Sequence, residues 1–261
     1  DIEFTNIAPH DIAVAMWDEY DNVIEATGQM TWHVQEDQSV ELTARAEDSI
    51  DDLSGLSYQW SFGPSTDGRE SRVAAVWSEA GMQTILVKAI DSEGEDSGWV
   101  ERWVDVQNME PQVKELAEVM AVAEGQSFSL SGNAWDTISD MDDLVVCWDI
   151  DPGSDTDGIG SADDDCDVEG ANLTWSWENA GTYNVVFHAT DDDGARNSSS
   201  ASVTVLNLPP VVMTKVPSKA VVGETITLDA SLTRDSPIDK EGLTVIWDLD
   251  CSVDSDGDGI K

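Results

Sequence analysis

Aspartates at every second position form the sharpest chemical motif of this sequence. The motif reads Asp254-Ser-Asp256-Gly-Asp258-Gly259. Aspartates at this spacing direct hard oxygen ligands toward one ion, and the glycine permits the tight turn that such a loop needs. The pattern predicts a calcium loop, and a solvated acidic loop is the alternative interpretation.

A second acidic run occupies residues 151–167 and contains Gly153-Ser-Asp155-Thr-Asp157-Gly158. This copy lacks the first acidic residue of the motif, so neighbouring aspartates must complete its ligand set. A calcium site and a solvated loop both remain open interpretations. The candidate metal ligands in this run are Asp151, Asp155, Asp157, Asp163 and Asp165.

Two of the three cysteines, Cys147 and Cys166, flank this second run. Cys147 precedes Trp148 in an alternating stretch, so its side chain points away from the face that carries the tryptophan. Cys166 is close enough in sequence to pin the acidic run back onto that stretch. We predict a disulfide that contributes about 3 kcal/mol, with two free thiols as the alternative.

Histidines and nucleophiles do not combine into a catalytic motif in this sequence. His10, His33 and His188 are scattered, and the sequence has no Gly-x-Ser-x-Gly, no His-Glu-x-x-His and no glycine-rich phosphate loop. We therefore predict that the chain is not an enzyme and has no catalytic residues. Because His188 alternates with the apolar Phe187, we also predict that it is exposed.

Charge is the extreme feature of the composition. The chain has 54 acidic and 12 basic residues, a formal net charge of −42. Such a surface repels nucleic acids and anionic membranes and attracts cations. No stretch approaches 18 apolar residues, which predicts no membrane span within this fragment. The acids are too numerous for metal sites alone, so adaptation to salty surroundings also contributes to them.

One tryptophan-centred stretch occurs three times and organises the chain. Each copy alternates apolar and other residues, which is typical of a β-strand with one face on a core. We predict that all three tryptophans fill cores. The copies are Leu56-Ser-Tyr-Gln-Trp60-Ser-Phe62, Leu144-Val-Val-Cys-Trp148-Asp-Ile150 and Leu243-Thr-Val-Ile-Trp247-Asp-Leu249.

The residues around these stretches repeat too, with a period of about 100 residues. The repeats predict a closing strand of a preceding repeat at 1–7, repeat one at 8–108, repeat two at 109–207 with an acidic insertion at 151–170, and a truncated repeat three at 208–261. In repeat one, strands are predicted near 11–16, 39–47, 56–62, 72–78, 83–90 and 99–107. Residues 114–122 favour a helix by composition, but their position in the repeat predicts a strand. Short, evenly spaced strands predict an all-β chain of tandem antiparallel sandwiches.

The end of repeat two, Gly181-Thr-Tyr183-Asn-Val-Val-Phe-His-Ala-Thr-Asp-Asp-Asp-Gly194, resembles the PKD (polycystic kidney disease) domain family. The Trp-Asp pair at 148–149 fits the same resemblance. The acidic loops resemble those of thrombospondin-type and dockerin-type repeats. The resemblance implies immunoglobulin-like sandwiches, with Tyr183 as a tyrosine corner. Repeat one departs from the pattern, with Ser61 in place of the aspartate and Gln83 in place of the tyrosine.

Immunoglobulin-like domains gather the loops between their second and third and their sixth and seventh strands at the pole where the preceding domain attaches. Asp48 and Asp91 lie in these loops of repeat one, and Asp136 and Asp191 lie in those of repeat two. Further acids accompany them at 51, 52, 93, 140, 142, 143, 192 and 193. We predict that calcium binds at these junctions and stiffens them.

Three functions remain open. The first is a non-catalytic calcium-binding stalk or adhesion array of a large cell-surface or secreted protein, with other surface proteins or polysaccharides as partners. The sequons at 172–174 and 197–199 are compatible with such an extracellular location. The alternatives are an accessory substrate-binding module of a secreted hydrolase and a filament or surface-layer subunit.

Overall fold

The computed structural model describes residues 5–28, 30–62, 70–117, 121–155, 165–250 and 252–253. The chain divides into two compact units. Unit 1 comprises Asp1–Lys114, Asn133–Val146 and His188–Ser198, and unit 2 comprises Glu115–Gly132, Cys147–Phe187 and Ser199–Lys261. Nearly all regular structure in the described ranges is β, and short 3₁₀ turns occur at Leu53–Gly55 and Asp239–Gly242.

Unit 1 contains a complete two-sheet sandwich. Its strands are β1 (His10–Trp17), β2 (Val23–Ile24), β3 (Thr31–Gln35), β4 (Val40–Glu47), β5 (Ser57–Phe62), β6 (Arg72–Ala75), β7 (Gly81–Ile90) and β8 (Val100–Gln107). One sheet has the order β2-β1-β4-β6 and the other has the order β3-β8-β7-β5. β3 pairs with β8 in parallel, and the other neighbours in these two sheets pair antiparallel.

Alternation along each strand builds the core between these two sheets. Met16 and Leu42 point inward from one sheet, and Trp60, Ile85 and Val87 point inward from the other; all five are fully buried. Trp60 pairs with Val87 across β5 and β7. The indole N–H of Trp60 donates to the carbonyl of Glu70 at 2.8 Å. The predicted burial of Trp60 is confirmed.

The following strands are β9 (Gln112–Val113), β10 (Val122–Ala123), β11 (Phe128–Ser131), β12 (Ala134–Trp135), β13 (Val145–Asp149), β14 (Val168–Glu169), β15 (Asn172–Trp175), β16 (Gly181–Thr190) and β17 (Arg196–Leu206). They form a five-stranded sheet of order β10-β17-β16-β13-β14 and two small sheets, β11-β15 and β9-β12. β10 and β17 pair in parallel, as β3 and β8 do. In unit 2 the fully buried Trp148 packs against Phe187, with ring centroids 4.9 Å apart, so its predicted burial is also confirmed.

The architecture confirms the predicted fold class, an all-β chain of immunoglobulin-like sandwiches. Three local predictions were wrong. Residues 114–117 have no regular structure, so the strand predicted over 114–122 was wrong for these residues, whereas Val122 at its end begins β10. His188 is only 5% exposed because β16 is an inner strand whose end is covered on both faces. Trp247 is 37% exposed because the described part of 208–253 forms isolated bridges and no strand to cover it.

Candidate calcium-binding sites

An Asp-Ser/Thr-x-x-Asp motif lies between the second and third predicted strands of every repeat. In repeat one the N–H of Ser49 donates to Asp48 Oδ1 at 2.7 Å, and its hydroxyl donates to Asp52 Oδ2 at 2.6 Å. Thr137 makes the same two bonds to Asp136 and Asp140, at 2.9 and 3.0 Å. The hydroxyl residue therefore fixes both carboxylates of its motif.

The third copy of this motif is Asp235-Ser236-Pro-Ile-Asp239 in unit 2. Its Ser236 N–H donates to Asp235 Oδ1 at 3.0 Å, and the Asp239 N–H donates to the Ser236 hydroxyl at 3.3 Å. In Asp48 and in Asp136 the other carboxylate oxygen, Oδ2, is buried and accepts no hydrogen bond from the described residues. These two oxygens are therefore hydrogen-bond acceptors without a donor among the described residues, in loops that hydrogen bonds hold in place.

Asp91 and Asp191 follow β7 and β16 and are both 5% exposed. Each accepts backbone N–H groups of its own loop through Oδ1, at 2.7 and 2.8 Å for Asp91 and at 2.7 Å for Asp191. Each Oδ2 accepts the side-chain amide of an asparagine that precedes the repeat, Asn6 at 2.7 Å and Asn108 at 2.9 Å. An asparagine–aspartate bond therefore ties each repeat to the chain that enters it.

Two glutamates of the preceding repeat complete these clusters. Glu36 directly follows β3, is 3% exposed and accepts the N–H of Met109 through Oε1 at 2.6 Å. Glu124 directly follows β10, is 4% exposed and accepts the N–H of Leu208 at 2.8 Å. Because β3 and β10 each run parallel to the closing strand of their own repeat, both glutamates arrive beside the linker that follows.

The first cluster, which we call the Glu36 cluster, consists of Glu36, Asp136, Asp140, Asp191 and Asp193, all within unit 1. Glu36 Oε2 is buried and accepts no hydrogen bond within the described part of the chain. Burial raises the pKa of Glu36 to about 7, and the bond from Met109 opposes this. The charge of Asp140, side-chain hydrogen bonding between the Glu36 and Asp140 carboxyl groups and the charge of Asp193 add to the rise. Burial likewise raises the pKa of Asp136, with the charge of Asp140 adding to the effect.

The second cluster, the Glu124 cluster, consists of Glu124, Asp235 and Asp239 and lies within unit 2. One ligand atom from each of the three carboxylates lies within 4.8 Å of the other two. Glu124 and Asp235 also line a cavity of about 580 Å³ together with Leu208 and the cationic Arg234. The spacing of the three carboxylates suits one cation held by oxygen ligands.

The insertion of repeat two contains a further acidic group, the Asp149 cluster: Asp149, Asp151, Asp165 and Asp167. Cys147 and Cys166 form the predicted disulfide, with Cα atoms 5.7 Å apart. Asp149 is 1% exposed; Oδ1 accepts the N–H of Asp151 at 2.9 Å, and the buried Oδ2 accepts no hydrogen bond among the described residues. Burial raises the pKa of Asp149 to about 6, and the charges of Asp167, Asp165 and Asp151 add to this.

Six of the twelve predicted ligands fall into three groups, a seventh lies apart from them, and five lie outside the described residues. Asp136 and Asp191 lie in the Glu36 cluster, and Asp48 and Asp91 lie in the equivalent loops of repeat one. Asp151 and Asp165 lie in the Asp149 cluster, whereas Asp155 is exposed in the insertion. Asp157, Asp163, Asp254, Asp256 and Asp258 lie outside the described residues. The sequence interpretation missed Glu36, Glu124, Asp149, Asp235 and Asp239 as candidate ligands.

Two other polar groups have the spacing of a site. His10, Asp11 and Glu47 bring ligand atoms within 4.8 Å of one another, but all three residues are exposed. Thr27 Oγ1 lies 2.8 Å from His33 Nε2, and His33 Nδ1 lies 3.0 Å from Asp105 Oδ2. This order resembles a catalytic triad, but the His33 and Asp105 side chains are 42% and 36% exposed and their contact links β3 to β8. Among the described residues, no helix is long and apolar enough to cross a membrane.

No protein-family model and no curated protein matches the chain. Solved structures do resemble it. A PKD domain of an M14-like peptidase from a Thermoplasmatales archaeon shares 16% identity and covers 39% of this chain and 98% of its own, with a TM-score of 0.27. The titin domains z1z2 in complex with telethonin share 15% identity over 79% of this chain and 100% of theirs, with a TM-score of 0.37. Extracellular domains 3–5 of Drosophila OTK share 10% identity over 70% and 62%, with a TM-score of 0.36. At these identities and TM-scores the resemblance carries no conclusion about function.

Proposed function

We propose that this chain is a non-catalytic, calcium-binding segment of a cell-surface or secreted protein, in which calcium stiffens an array of immunoglobulin-like repeats that serves as a stalk or adhesion module. The observation that carries the proposal is the recurrence of one constellation. In each unit a buried glutamate beside the linker lies near the Asp-Ser/Thr-x-x-Asp motif of the following repeat. This glutamate is Glu36 in unit 1 and Glu124 in unit 2.

The charge of this constellation favours a bound cation. In the Glu36 cluster, the buried Glu36 and the half-buried Asp136 each carry a buried oxygen that accepts no hydrogen bond from the described residues. The nearby charges that raise their pKa values are carboxylates. Burying such charges costs several kcal/mol per ion unless they are paired, protonated or bound to a metal. Calcium supplies two positive charges and takes six to eight oxygen ligands in flexible geometry.

Calcium in this position has a mechanical role. Glu36 holds the linker through Met109, and Asp191 holds it through Asn108, so an ion shared by these acids fixes the linker from two sides. Asp37 Oδ2 adds bonds from the backbone N–H and hydroxyl of Ser139, at 2.8 and 3.1 Å. Without the ion, mutual repulsion of the acids loosens the same contacts.

We also propose that the repeats are of the PKD type. Tyr183 makes the expected corner bond, from its hydroxyl to the carbonyl of Asn179 at 2.9 Å. Gln83 occupies the equivalent position in repeat one, and its amide reaches the carbonyl of Glu79 at 3.5 Å. The disulfide supports an oxidising, extracellular location.

The test is calorimetric titration of the chain with calcium, together with thermal unfolding and small-angle scattering in calcium and in chelator. We expect saturable binding, a higher melting temperature and a narrower distribution of dimensions in calcium. The double variant Glu36→Gln, Glu124→Gln should lose these responses at both clusters. Glu101→Gln, an exposed change of the same kind on β8, serves as the control. Identical melting and scattering in calcium and chelator would refute the proposal.

A further inference from the structure

The base of the insertion is linked to the end of β13 by a disulfide and by hydrogen bonds. Two links hold it besides the disulfide: the N–H of Asp167 donates to the carbonyl of Trp148 at 2.9 Å, and the N–H of Ile150 donates to Asp167 Oδ2 at 2.8 Å. β14 then pairs with β13, with Cys147 opposite Glu169. Residues 147–151 and 165–169 are therefore held side by side.

Asp149 is buried within this base, at the end of β13. Its side chain is 1% exposed, and Oδ2 is buried with no hydrogen-bond donor among the described residues. Asp165 is fully buried and accepts the N–H of Cys166 through Oδ1 at 2.9 Å. The charges that act on Asp149 are the carboxylates of Asp167, Asp165 and Asp151.

The described part of the sandwich core offers no hydrogen-bond donor to Asp149 Oδ2. Asp149 occupies the strand position that Ser61 occupies in repeat one, where the chain carries no comparable acidic insertion. A buried carboxylate with a bare oxygen and three acidic neighbours is strongly unfavourable without a positive partner. Hard divalent cations meet this need through oxygen ligands, and calcium tolerates the irregular arrangement that a strand end and a loop provide.

We propose that Asp149, with Asp151, Asp165 and Asp167, binds one calcium ion at the base of the disulfide-bonded insertion. No three of these residues already hold ligand atoms within 4.8 Å of one another, so binding would draw the side chains together around the buried Oδ2 of Asp149. This site is separate from the Glu36 and Glu124 clusters and does not depend on them. Its central ligand is a strand residue, whereas the sequence motifs placed all ligands of this region in the loop. The ion locks the insertion onto the end of its sandwich, so the loop projects from a fixed base.

The turn recurs in repeat three. The N–H of Asp250 donates to Asp248 Oδ1 at 2.9 Å, as the N–H of Asp151 donates to Asp149 Oδ1 at the same distance. Asp248 follows Trp247 as Asp149 follows Trp148. The aspartate after the tryptophan therefore begins both acidic insertions with one local geometry, although Asp149 is buried and Asp248 is exposed.

The experiment counts calcium ions by calorimetry on the whole oxidised chain, comparing wild type with Asp149→Asn. The asparagine keeps the acceptor for the Asp151 N–H and removes the charge. We expect one binding event to disappear or to weaken by at least about tenfold, while the response of the Glu36 and Glu124 clusters persists. Glu101→Gln, an exposed change of equal charge that lies in none of the clusters, should retain every event.

Melting temperatures distinguish calcium binding at Asp149 from a purely structural role of this residue. In chelator, Asp149→Asn should melt at or above the wild-type temperature because an uncompensated charge is gone, and in calcium it should melt below. A second variant, Asp149→Ser, introduces the residue that repeat one has at this position. It provides an independent measurement if Asp149→Asn does not fold. Unchanged ion number in both variants would overturn the proposal, as would substitution of magnesium for calcium at equal affinity. Loss of the Asp149 event in a chain whose Glu36 and Glu124 clusters bind no calcium would leave this site standing while refuting the proposed function.

Discussion

Substituting Glu36 with glutamine should stabilise unit 1 in chelator and destabilise it in calcium. The glutamine would keep an oxygen for the Met109 N–H, so the change removes charge and little else. The folded state holds the Glu36 proton up to about pH 7, whereas an ordinary glutamate releases it near pH 4.5. A carboxyl pKa that is raised on folding means that stability is lost as pH rises through this window.

The size of the loss follows from the shift in pKa. Each pKa unit corresponds to about 1.4 kcal/mol, so the wild type should lose roughly 3 kcal/mol of unfolding free energy between acidic conditions and pH 8 in chelator. The variant has no proton to release and should be more stable than the wild type by up to that amount at pH 8. At pH 5 the difference should fall below about 1 kcal/mol.

Urea unfolding followed by near-ultraviolet circular dichroism, at pH 5 and pH 8 with chelator, measures both differences. Repeating the pH 8 measurement in calcium should reverse the order, because only the wild type retains its ligand. Glu101→Gln is the matched control and should show neither effect. A Glu36→Gln protein that is less stable than the wild type at pH 8 in chelator would refute the reasoning, since it would mean that the Glu36 charge is already compensated.

Two further predictions concern packing in unit 2. Gly132→Ala should destabilise unit 2 by roughly 1–3 kcal/mol or more, because the new Cβ would overlap the Phe187 ring. A Cβ at Gly153 meets nothing within 4 Å, so Gly153→Ala should be nearly neutral in the same melting experiment. Tyr183→Phe should cost about 0.5–1.5 kcal/mol by removing the bond to the Asn179 carbonyl; an unchanged melting temperature would show that this corner adds nothing to stability.

Strand-level features were readable from the sequence because they depend on short-range alternation. Trp60 and Trp148 share a register in repeated strands, and a slip of one residue would expose every inward side chain. The same reasoning failed for His188, because alternation assumes that one face of a strand meets water. It failed again at 114–117, where position in the repeat suggested a strand that the structure does not form.

Only some of the candidate ligands could be predicted from the sequence. Clusters of aspartate in loops were visible, but Glu36 and Glu124 look like ordinary polar residues in a tight turn before a strand. Their role depends on parallel pairing with a closing strand far along the chain, which no local pattern reveals. One signal was available: a glutamate recurs at this position, just before the residue with positive φ, in repeats one and two, whereas repeat three has the fully exposed Val222.

The parallel pairing of β3 with β8 has a consequence for how the sandwich responds to tension. Five residue pairs, from Thr31 with Trp103 to Gln35 with Gln107, join these strands. A force that draws the start of β3 and the end of β8 apart acts along both strands in opposite directions, so it loads these rungs together in shear. An antiparallel pair pulled from its open end would instead unzip one rung at a time. The parallel edge strand β3 therefore helps the sandwich to resist extension. The force that it withstands depends on the rate of forced unfolding.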